Sequence, residues 1–434
     1  MYKPFFITIF LCFFILLASC APVNNIPIKK SSKIENTFEQ KESLKKIKKT
    51  ENVSSDKEAL EINQLMSIFD ENIQGDITII LSKNDNPNTV KQFINVIELA
   101  IYQKKLKNIS FKIEIYENTK QLIKFIDSST LLGKIFIGPL NTEDAKVLKK
   151  YCDQGAMFFS FSSDKKLAKD CVYLVNFFPE NEMRTIFEYF PDNSKIALLY
   201  PENLYGFEIN KNIDFIANQS NSVIVNRASY NENLSNAPEA IKELGKYELR
   251  KYELNRQKQI LANKKDDESK KRLIKLERFQ TTKDFDFTHV IIADYGLRLL
   301  QVAPLLPYYD IDPNIVRFVG TGAWDDEVFY DEPSLKGSIY PGIEIKKRKK
   351  LMEDYYDLYS KQLHRTSTLP YDLVGLLAFV INNNYTLSSF YELLNESNIK
   401  FSGVDGSFYF LNNVIERDLN ILKIDEGKAT IVSK

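Results

Sequence analysis

Residues 290–324 read VIIADYGLRLLQVAPLLPYYDIDPNIVRFVGTGAW, and this stretch decides the fold. An apolar run, Val290–Ala293, precedes a polar turn and a segment with helical periodicity, Leu297–Leu306. A connection that contains proline then leads to a second apolar run, Ile315–Val319. Such runs predict buried strands joined by a crossover helix, as in a parallel sheet covered by helices on both faces. The predicted fold class is therefore α/β.

The residues that follow these two strands are the first candidates for a ligand site. Open α/β sheets bind small ligands outside the carboxyl ends of their strands. Asp294, Tyr295, Thr321 and Trp324 lie at such ends. The alternative is that they only form turns and cover the edge of the sheet.

Strand and helix patterns alternate twice along the chain. The first series runs from Ile77 to Val175, and the pattern restarts at Arg184. A chain of 434 residues also exceeds the size at which a single hydrophobic core keeps growing. We therefore predict two lobes, each with a mostly parallel sheet flanked by helices.

Composition and motifs exclude several classes of function. Lys plus Arg equals Asp plus Glu, at 58 each, so no overall charge favours nucleic acid. The two histidines, His289 and His364, lie far apart in sequence, and we expect no metal site. The chain contains no glycine-rich dinucleotide fingerprint, no P-loop and no hydrolase elbow. We therefore expect no cofactor and no enzymatic activity.

The first twenty residues predict export. An apolar run from Phe5 to Leu17 is short for a membrane span and ends in Leu-Ala-Ser-Cys. This pattern resembles a bacterial lipobox, which implies lipidation of Cys20; the alternative is an ordinary signal peptide. Ala21 follows the cysteine, and by resemblance to Gram-negative lipoproteins this favours the periplasmic face of the outer membrane. Residues 21–72 are rich in Lys, Glu, Ser and Asn and are predicted to form a flexible tether.

Two cysteines remain beyond the predicted signal peptide, Cys152 and Cys171. An exported compartment is oxidising and allows one intramolecular disulfide between them. Two buried free thiols are the other interpretation, and the sequence leaves both open.

Residues 237–280 form a charged insertion in the second series. Apolar residues recur three and four positions apart among dense Lys, Arg and Glu, which predicts a helical hairpin broken near Asn263–Glu268. One interpretation is a solvated arm, and the other is a docking surface for a partner protein.

Several local motifs resemble a known family. They are FIGPL (136–140), FSFSSD (159–164), Tyr205-Gly206, APLLPYYD (303–310), GTGAWDD (320–326) and FSGVDG (401–406). Together they look like the penicillin-binding-protein activator family of Alphaproteobacteria, whose fold is that of type I periplasmic-binding, leucine-binding-like proteins. The resemblance implies one lobe of about 75–179 plus 344–400 and another of about 180–343 plus 401–434, joined by three crossovers.

The same resemblance implies a site between the lobes. Relative to amino-acid binders of this fold, Ser160 or Ser162 takes the position that holds a ligand carboxylate. Tyr205 is retained, and Asp294 lies near the position of an acidic partner for the ammonium. Phe177 stands where those binders carry a small or hydroxyl-bearing residue.

Two functions follow as expectations. The first is a non-enzymatic outer-membrane lipoprotein that regulates peptidoglycan synthesis by contacting a penicillin-binding protein. The second is a lipoprotein that binds an amino acid or small peptide in the interlobe cleft for an ABC importer.

Overall fold

The computed structural model describes residues 72–106, 109–344, 346–396 and 398–432. The predicted signal peptide, Cys20 and the predicted tether up to residue 71 lie outside these ranges. The strands are β1 Asp76–Ser82, β2 Ser110–Tyr116, β3 Ile135–Ile137, β4 Met157–Ser160, β5 Val172–Leu174, β6 Lys195–Pro201, β7 Val223–Tyr230, β8 His289–Ile292, β9 Arg317–Val319, β10 Ile339–Gly342, β11 Phe401–Gly403, β12 Gly406–Leu411, β13 Val414–Arg417, β14 Asn420–Asp425 and β15 Lys428–Ile431.

Helices connect most of these strands. The α-helices are α1 Pro87–Gln103, α2 Thr119–Asp127, α3 Thr142–Ala145, α4 Pro179–Tyr189, α5 Leu204–Gln219, α6 Ala237–Leu244, α7 Tyr247–Ala262, α8 Asp267–Glu277, α9 Gly296–Val302, α10 Leu305–Tyr308, α11 Lys346–Tyr359, α12 Leu369–Asn382 and α13 Leu387–Asn395. Short 3-10 helices span Leu148–Gln154, Lys165–Leu167, Gly322–Trp324, Glu327–Phe329, Pro333–Leu335 and Arg365–Thr368.

The strands form two sheets, which confirms the predicted α/β class. Within the described ranges, an eight-stranded sheet has the order β11-β12-β13-β5-β4-β3-β1-β2, and a seven-stranded sheet has the order β15-β14-β10-β9-β8-β6-β7. We call the first sheet with its helices the first lobe and the second sheet with its helices the second lobe. Neighbouring strands in each sheet run parallel except at the β11-β12-β13 and β10-β14-β15 edges, where the pairing is antiparallel.

The stretch that begins at residue 290 forms the expected βαβ unit. Strand β8 pairs in parallel with β9, with Val290 opposite Phe318, and helix α9 lies between them in sequence. Val290, Ile291 and Ile292 are completely buried because helices cover both faces of the sheet. A fully buried side chain of this kind contributes roughly 1.5–3 kcal/mol to folding.

The C-terminal region divides between the lobes, and this corrects the predicted boundaries. Residues 401–434 were expected in the second lobe, but β11, β12 and β13 belong to the first sheet, where β13 pairs with β5. Only β14 and β15 join the second sheet. Strand β13 was not predicted, because its charged residues Glu416 and Arg417 interrupt the apolar pattern. The chain thus passes between the sheets after β5, after β10 and after β13.

The charged insertion is shorter than its sequence pattern indicates. Helix α6 buries Ala237, Ile241 and Leu244 in the core of the second lobe, so it is an ordinary crossover helix. Helices α7 and α8 form the hairpin, and Asp266 caps α8 by accepting a hydrogen bond from the Ser269 N–H at 2.8 Å. The hairpin proper therefore begins at residue 247.

Two negative findings apply to the described part of the chain. None of its helices combines the length and apolar character required to cross a membrane. No group of three or more His, Cys, Asp and Glu side chains there is arranged to hold a metal ion.

Candidate functional site

Tyr205 and Thr321, both predicted as ligand-binding candidates, are in contact. The Tyr205 hydroxyl donates a hydrogen bond of 2.6 Å to Oγ1 of Thr321. Asn203 caps helix α5 through the Gly206 N–H and thereby fixes Tyr205 in the first turn. The ring of Tyr205 meets that of Tyr295 edge to face, with centroids 5.1 Å apart. Burial raises the pKa of Tyr205, so the phenol stays a neutral hydrogen-bond donor.

Asp294 and Trp324 join the same cluster. The completely buried indole of Trp324 donates from Nε1 to the carbonyl oxygen of Asp294 at 3.0 Å. The ring packs directly over Gly320, where an added Cβ would lie 1.9 Å from Cδ2 of the indole. All five candidates from the second lobe therefore lie together at the carboxyl ends of its strands.

The carboxylate of Asp294 is fully engaged inside the protein. It accepts hydrogen bonds from the Tyr230 hydroxyl at 2.6 Å and from the Tyr295 N–H at 2.8 Å. Arg298 forms a forked pair with it, at 3.0 Å from Nε and 2.9 Å from Nη2. These contacts occupy the acceptor sites of both oxygens, so a ligand ammonium would have to displace one of them.

The candidates from the first lobe, Ser160 and Ser162, form a separate group. Oγ of Ser160 donates to the Pro139 carbonyl at 3.0 Å and accepts from the Ser162 N–H at 3.2 Å. Oγ of Ser162 is 2.9 Å from Oγ1 of Thr142. Both serines are buried. Within the ranges that the structure describes, no hydrogen bond joins either serine to the cluster around Tyr205.

Phe177 packs against two arginines at the first crossover. The guanidinium carbon of Arg365 is 4.2 Å from its ring centroid, and that of Arg417 is 4.6 Å away. Such cation–π contacts are attractive, and more so when partly desolvated. The neighbouring Phe178 is buried in the core of the first lobe. The Phe177 ring therefore packs against the guanidinium groups of these two arginines.

Arg365 connects this crossover to the loop of the second lobe that carries Thr321. Its Nη1 donates to the carbonyl oxygen of Gly322, and its Nη2 lies 3.6 Å from Oε1 of Glu182. Glu182 in turn accepts a 2.9 Å hydrogen bond from the Gly322 N–H. Burial raises the pKa of Glu182, although Arg365 and this hydrogen bond oppose the rise. Protein atoms from both lobes thus meet beside Thr321.

A second buried charge cluster lies at the other two crossovers. Arg348 donates to Asp325, which follows β9 of the second sheet, and to Asp405 in the β11–β12 turn of the first sheet. Its side chain is 2% exposed and both carboxylates are 0% exposed. The Thr368 hydroxyl also donates to Asp405. The triad of Arg348, Asp325 and Asp405 therefore links the two lobes.

The pKa values of the charged groups in this cluster are shifted in different directions. Burial alone would raise the pKa of Asp405, but Arg348 and Arg417 outweigh it and hold that pKa below its ordinary value. Burial and the charge of Asp405 raise the pKa of Asp372 to about 6. Burial lowers the pKa of Arg417. Four buried donor atoms in this region have no hydrogen-bond partner among the described residues: Nη2 of Arg348, Nε of Arg365, and Nε and Nη2 of Arg417.

Sequence reasoning missed these charged groups. The acidic run Asp325–Glu327 has the charge pattern of exposed residues at the start of a helix, but Asp325 itself is buried. Arg417 gave no signal, because its neighbours Glu416 and Asp418 are also charged, but Asp405 is a charged residue that stands between Val404 and Gly406. Such a residue is rarely buried unless it is paired.

The two cysteines whose pairing the sequence leaves open form a disulfide. The sulfur atoms of Cys152 and Cys171 lie 2.15 Å apart and form a disulfide that links the 3-10 helix before β4 to the start of β5. The predicted lipidation of Cys20 lies outside the described residues and stays a prediction.

The structure also contains a cavity of about 460 Å³ away from the predicted cleft. Helix α4 and the strands next to the third crossover line it, including Arg184, Tyr189 and Tyr409. None of the predicted cleft residues lines this cavity.

The structure resembles solved two-lobed proteins. A branched-chain amino acid ABC transporter protein of Rhodospirillum rubrum superposes with a TM-score of 0.59 at 12% identity, covering 83% of this chain and 100% of that one. A branched-chain amino acid periplasmic ligand-binding protein of Burkholderia xenovorans gives 0.55 at 10% identity, covering 82% and 94%. The fold is that of the leucine-binding-like periplasmic-binding proteins.

The same fold occurs in LpoA of Haemophilus influenzae. That structure superposes with a TM-score of 0.55 at 13% identity and covers 85% of this chain and 60% of LpoA. No family model and no curated protein sequence matches this chain. These neighbours comprise binding proteins of ABC transporters and LpoA. At such identities the likeness shows the periplasmic-binding fold alone.

Proposed function

We propose that the protein is a non-enzymatic outer-membrane lipoprotein, anchored through Cys20, that regulates peptidoglycan synthesis by contacting a penicillin-binding protein. The observation that carries this proposal is the state of Asp294. Tyr230, Tyr295 and Arg298 already use the carboxylate expected to hold a ligand ammonium. A solute-binding protein needs such groups unpaired before its ligand arrives, because charged ligand ends are costly to bury without partners.

The sequence motifs support the same proposal. The fold is common to transport proteins and to LpoA, so it does not separate the two functions. The GTGAWDD and APLLPYYD motifs resemble the penicillin-binding-protein activator family, and the structure places both in the second lobe. Their residues serve internal contacts, such as those of Thr321 and Trp324.

The α7–α8 hairpin is the surface that we assign to the partner. Between residues 247 and 280, Lys and Arg outnumber Asp and Glu by eleven to six in a chain with no net charge. Helix α7 also carries Leu249, Tyr252 and Ile260, which are 56%, 64% and 49% exposed. Their spacing of three and eight residues places them along one side of the helix. Exposed apolar residues within a charged rim are typical of protein interfaces.

The partner surface should therefore be apolar at its centre and acidic at its rim. Acidic residues at the rim would pair with the lysines and arginines of the hairpin and raise the association rate at low salt. We expect binding to weaken as ionic strength rises, because exposed charges are screened.

The test uses a variant in which a short Gly-Ser linker joins Lys246 to Arg278. The linker is short because Tyr247 Oη lies 3.3 Å from Oε1 of Gln280, so the two ends of the hairpin are adjacent. Helix α6 is kept, since it is part of the core. Detergent-solubilised full chain is mixed with penicillin-binding proteins labelled by a fluorescent penicillin, and co-purification and glycan polymerisation are measured.

We expect the full chain to retain a labelled protein and stimulate it, and the linker variant to do neither. A triple variant, Leu249→Ala, Tyr252→Ala and Ile260→Ala, should behave like the linker variant. Leu204→Ala on helix α5, a residue 85% exposed, is the control and should leave both readouts unchanged. Binding and stimulation that persist without the hairpin would refute its role.

The solute-binding alternative has a separate test. Thermal unfolding with amino acids and small peptides should reveal a cleft ligand, because ligand at 100 times its dissociation constant stabilises by about 2.7 kcal/mol. Tyr205→Phe should abolish such a shift if the ligand contacts the cluster around Tyr205. The contact proposal predicts no shift that depends on Tyr205.

A further inference from the structure

Strand β2 forms an open edge of the first sheet. Of the four edge strands that the structure describes, β11 and β15 have only three and four residues. Strand β7 shifts its register against β6, and its Asn226 side chain donates to the Leu244 carbonyl at the end of helix α6. Strand β2 pairs with β1 in one unbroken register of seven residues. Because short strands and bulges protect a sheet edge from further pairing, β2 is the edge best suited to accept another strand.

Alternate residues of β2 carry the backbone groups that point away from the sheet. At one end of the strand the Ser110 N–H donates to the β1 side at 2.9 Å, and at the other end the Tyr116 carbonyl accepts from that side at 2.7 Å. The residues that bond to a parallel neighbour alternate along the strand. The N–H and C=O groups of Phe111, Ile113 and Ile115 therefore face outward, where a further strand would pair.

The side chains of β2 combine exposed apolar residues with one charge of each sign. Ile113 and Ile115 are 41% and 56% exposed and lie on one face of the sheet, because side chains alternate along a strand. Lys112 and Glu114 lie on the other face, where they are 66% and 33% exposed and 3.7 Å apart. An exposed pair at this distance contributes little to stability. Both charges are therefore accessible to a partner strand.

Two copies of β2 match each other when they pair in antiparallel orientation about Ile113. Phe111 of one copy then lies opposite Ile115 of the other, and the outward-facing backbone groups exchange hydrogen bonds. Lys112 lies opposite Glu114 of the other copy, at the non-hydrogen-bonded positions where side chains approach most closely. Centring the pair on Lys112 or on Glu114 instead would place like charges opposite each other, which is destabilising. The charges thus favour the register centred on Ile113.

We propose that two copies of this chain associate through β2, with Ile113 on the two-fold axis, so that their first sheets join into one continuous sheet. The partner is a second copy because β2 complements itself about Ile113 in charge and in apolar positions, as a two-fold symmetric interface requires. The proposal is independent of the partner-contact function, since β2 belongs to the first lobe and the α7–α8 hairpin to the second.

Sedimentation velocity of the detergent-solubilised full chain tests the association. We expect a dimer whose fraction rises with protein concentration. Lys112→Glu and Glu114→Lys each place like charges opposite each other and should weaken the dimer roughly tenfold or more. An equal mixture of these two single variants should dimerise again, and so should the variant that carries both substitutions, because every acidic side chain then faces a lysine. Lys211→Glu on helix α5, at a side chain 69% exposed, is the matched control and should dimerise as the native protein does.

Single cysteines test the register. Ile113→Cys places two Cα atoms about 5.5 Å apart across the axis, within reach of a disulfide. Lys112→Cys and Glu114→Cys place them at diagonal positions, roughly 7–8 Å apart, where a disulfide forms poorly. We expect a mild oxidant to cross-link Ile113→Cys fastest, with the native chain as the background. A chain that stays monomeric at every concentration, a dimer that both single charge variants retain, or faster cross-linking at Lys112→Cys or Glu114→Cys would overturn the proposal.

Discussion

Arg348 and Asp405 are paired in full burial, with Nε of the guanidinium 2.5 Å from Oδ1 of the carboxylate. Asp325 shares the same guanidinium, so replacing Arg348 removes the directly paired cation of two buried carboxylates. We predict that Arg348→Leu lowers the free energy of unfolding by about 3–5 kcal/mol, measured by urea denaturation. Lys349→Ala, which removes an exposed pair with Glu327, should leave the midpoint nearly unchanged. Equal losses in the two variants would contradict this role for Arg348.

Asp372 should make stability depend on pH. Burial and the neighbouring charge of Asp405 raise its pKa to about 6 in the folded protein, so the folded state holds its proton more tightly than the unfolded state. The stability that this proton provides is present at low pH and is lost as pH rises from about 4 through about 6.

The comparison is between the native protein and Asp372→Asn, which does not titrate. We expect the free energy of unfolding of the native protein, relative to the variant, to fall by a few kcal/mol across that window. Urea midpoints at a series of pH values measure it. Asp267→Asn, at a side chain 89% exposed, is the matched control for the replacement of an aspartate by asparagine. A difference between native protein and Asp372→Asn that is flat with pH would show that Asp372 does not titrate there.

Arg250 fixes the root of the α7–α8 hairpin to the second lobe. Its buried guanidinium donates to the Gly245 carbonyl at 2.6 Å, to the Thr281 hydroxyl at 2.8 Å and to the Thr282 carbonyl at 2.9 Å. It also packs 4.3 Å from the centroid of Phe285. We predict that Arg250→Ala exposes the hairpin to rapid cleavage by trypsin while the lobes stay folded, as followed by limited proteolysis and circular dichroism.

Two further variants sharpen this prediction. Arg250→Lys should rescue little, because one ammonium cannot reproduce the planar fork of donors. Lys251→Ala, at the exposed neighbouring position, should be cleaved at the native rate. If trypsin cleaves Arg250→Ala with the native pattern, the other contacts at the root of the hairpin are sufficient to hold it on the second lobe.

Gly320 is required by the indole that packs over it. An added methyl group would lie 1.9 Å from Trp324, so Gly320→Ala must displace the ring or the loop. We predict a loss of about 1–3 kcal/mol in unfolding free energy. The single tryptophan of the chain reports the change directly, as a red shift of its emission. An unchanged emission spectrum would show that the loop accommodates the methyl group without moving the indole.

Local patterns were enough to predict most of the framework. The strands of the two sheets are short apolar runs whose burial follows from their own residues, as in Ile77–Leu81 and Val290–Ala293. The break in the hairpin near Asn263 was also visible, because Asn, Lys and Asp replace the apolar periodicity. These features depend on residues that are close in sequence.

Contacts between distant residues were not predictable in the same way. Strand β13 joins the first sheet beside β5, some 240 residues earlier in the chain. Tyr230, which pairs with Asp294 at a separation of 64 residues, gives no local signal of that contact. The sequence therefore predicted which residues gather at the strand ends but not that they would be paired with one another.

The attachment of the hairpin has a mechanical consequence. Helix α7 has 16 residues and is about 24 Å long, and Arg250 anchors its first turn to the backbone at Thr282 and Tyr309. A force applied near the far end of the hairpin would be transmitted to the second lobe as a torque, because the helices act as a stiff lever. A flexible loop of equal length would bend instead and transmit little of that force.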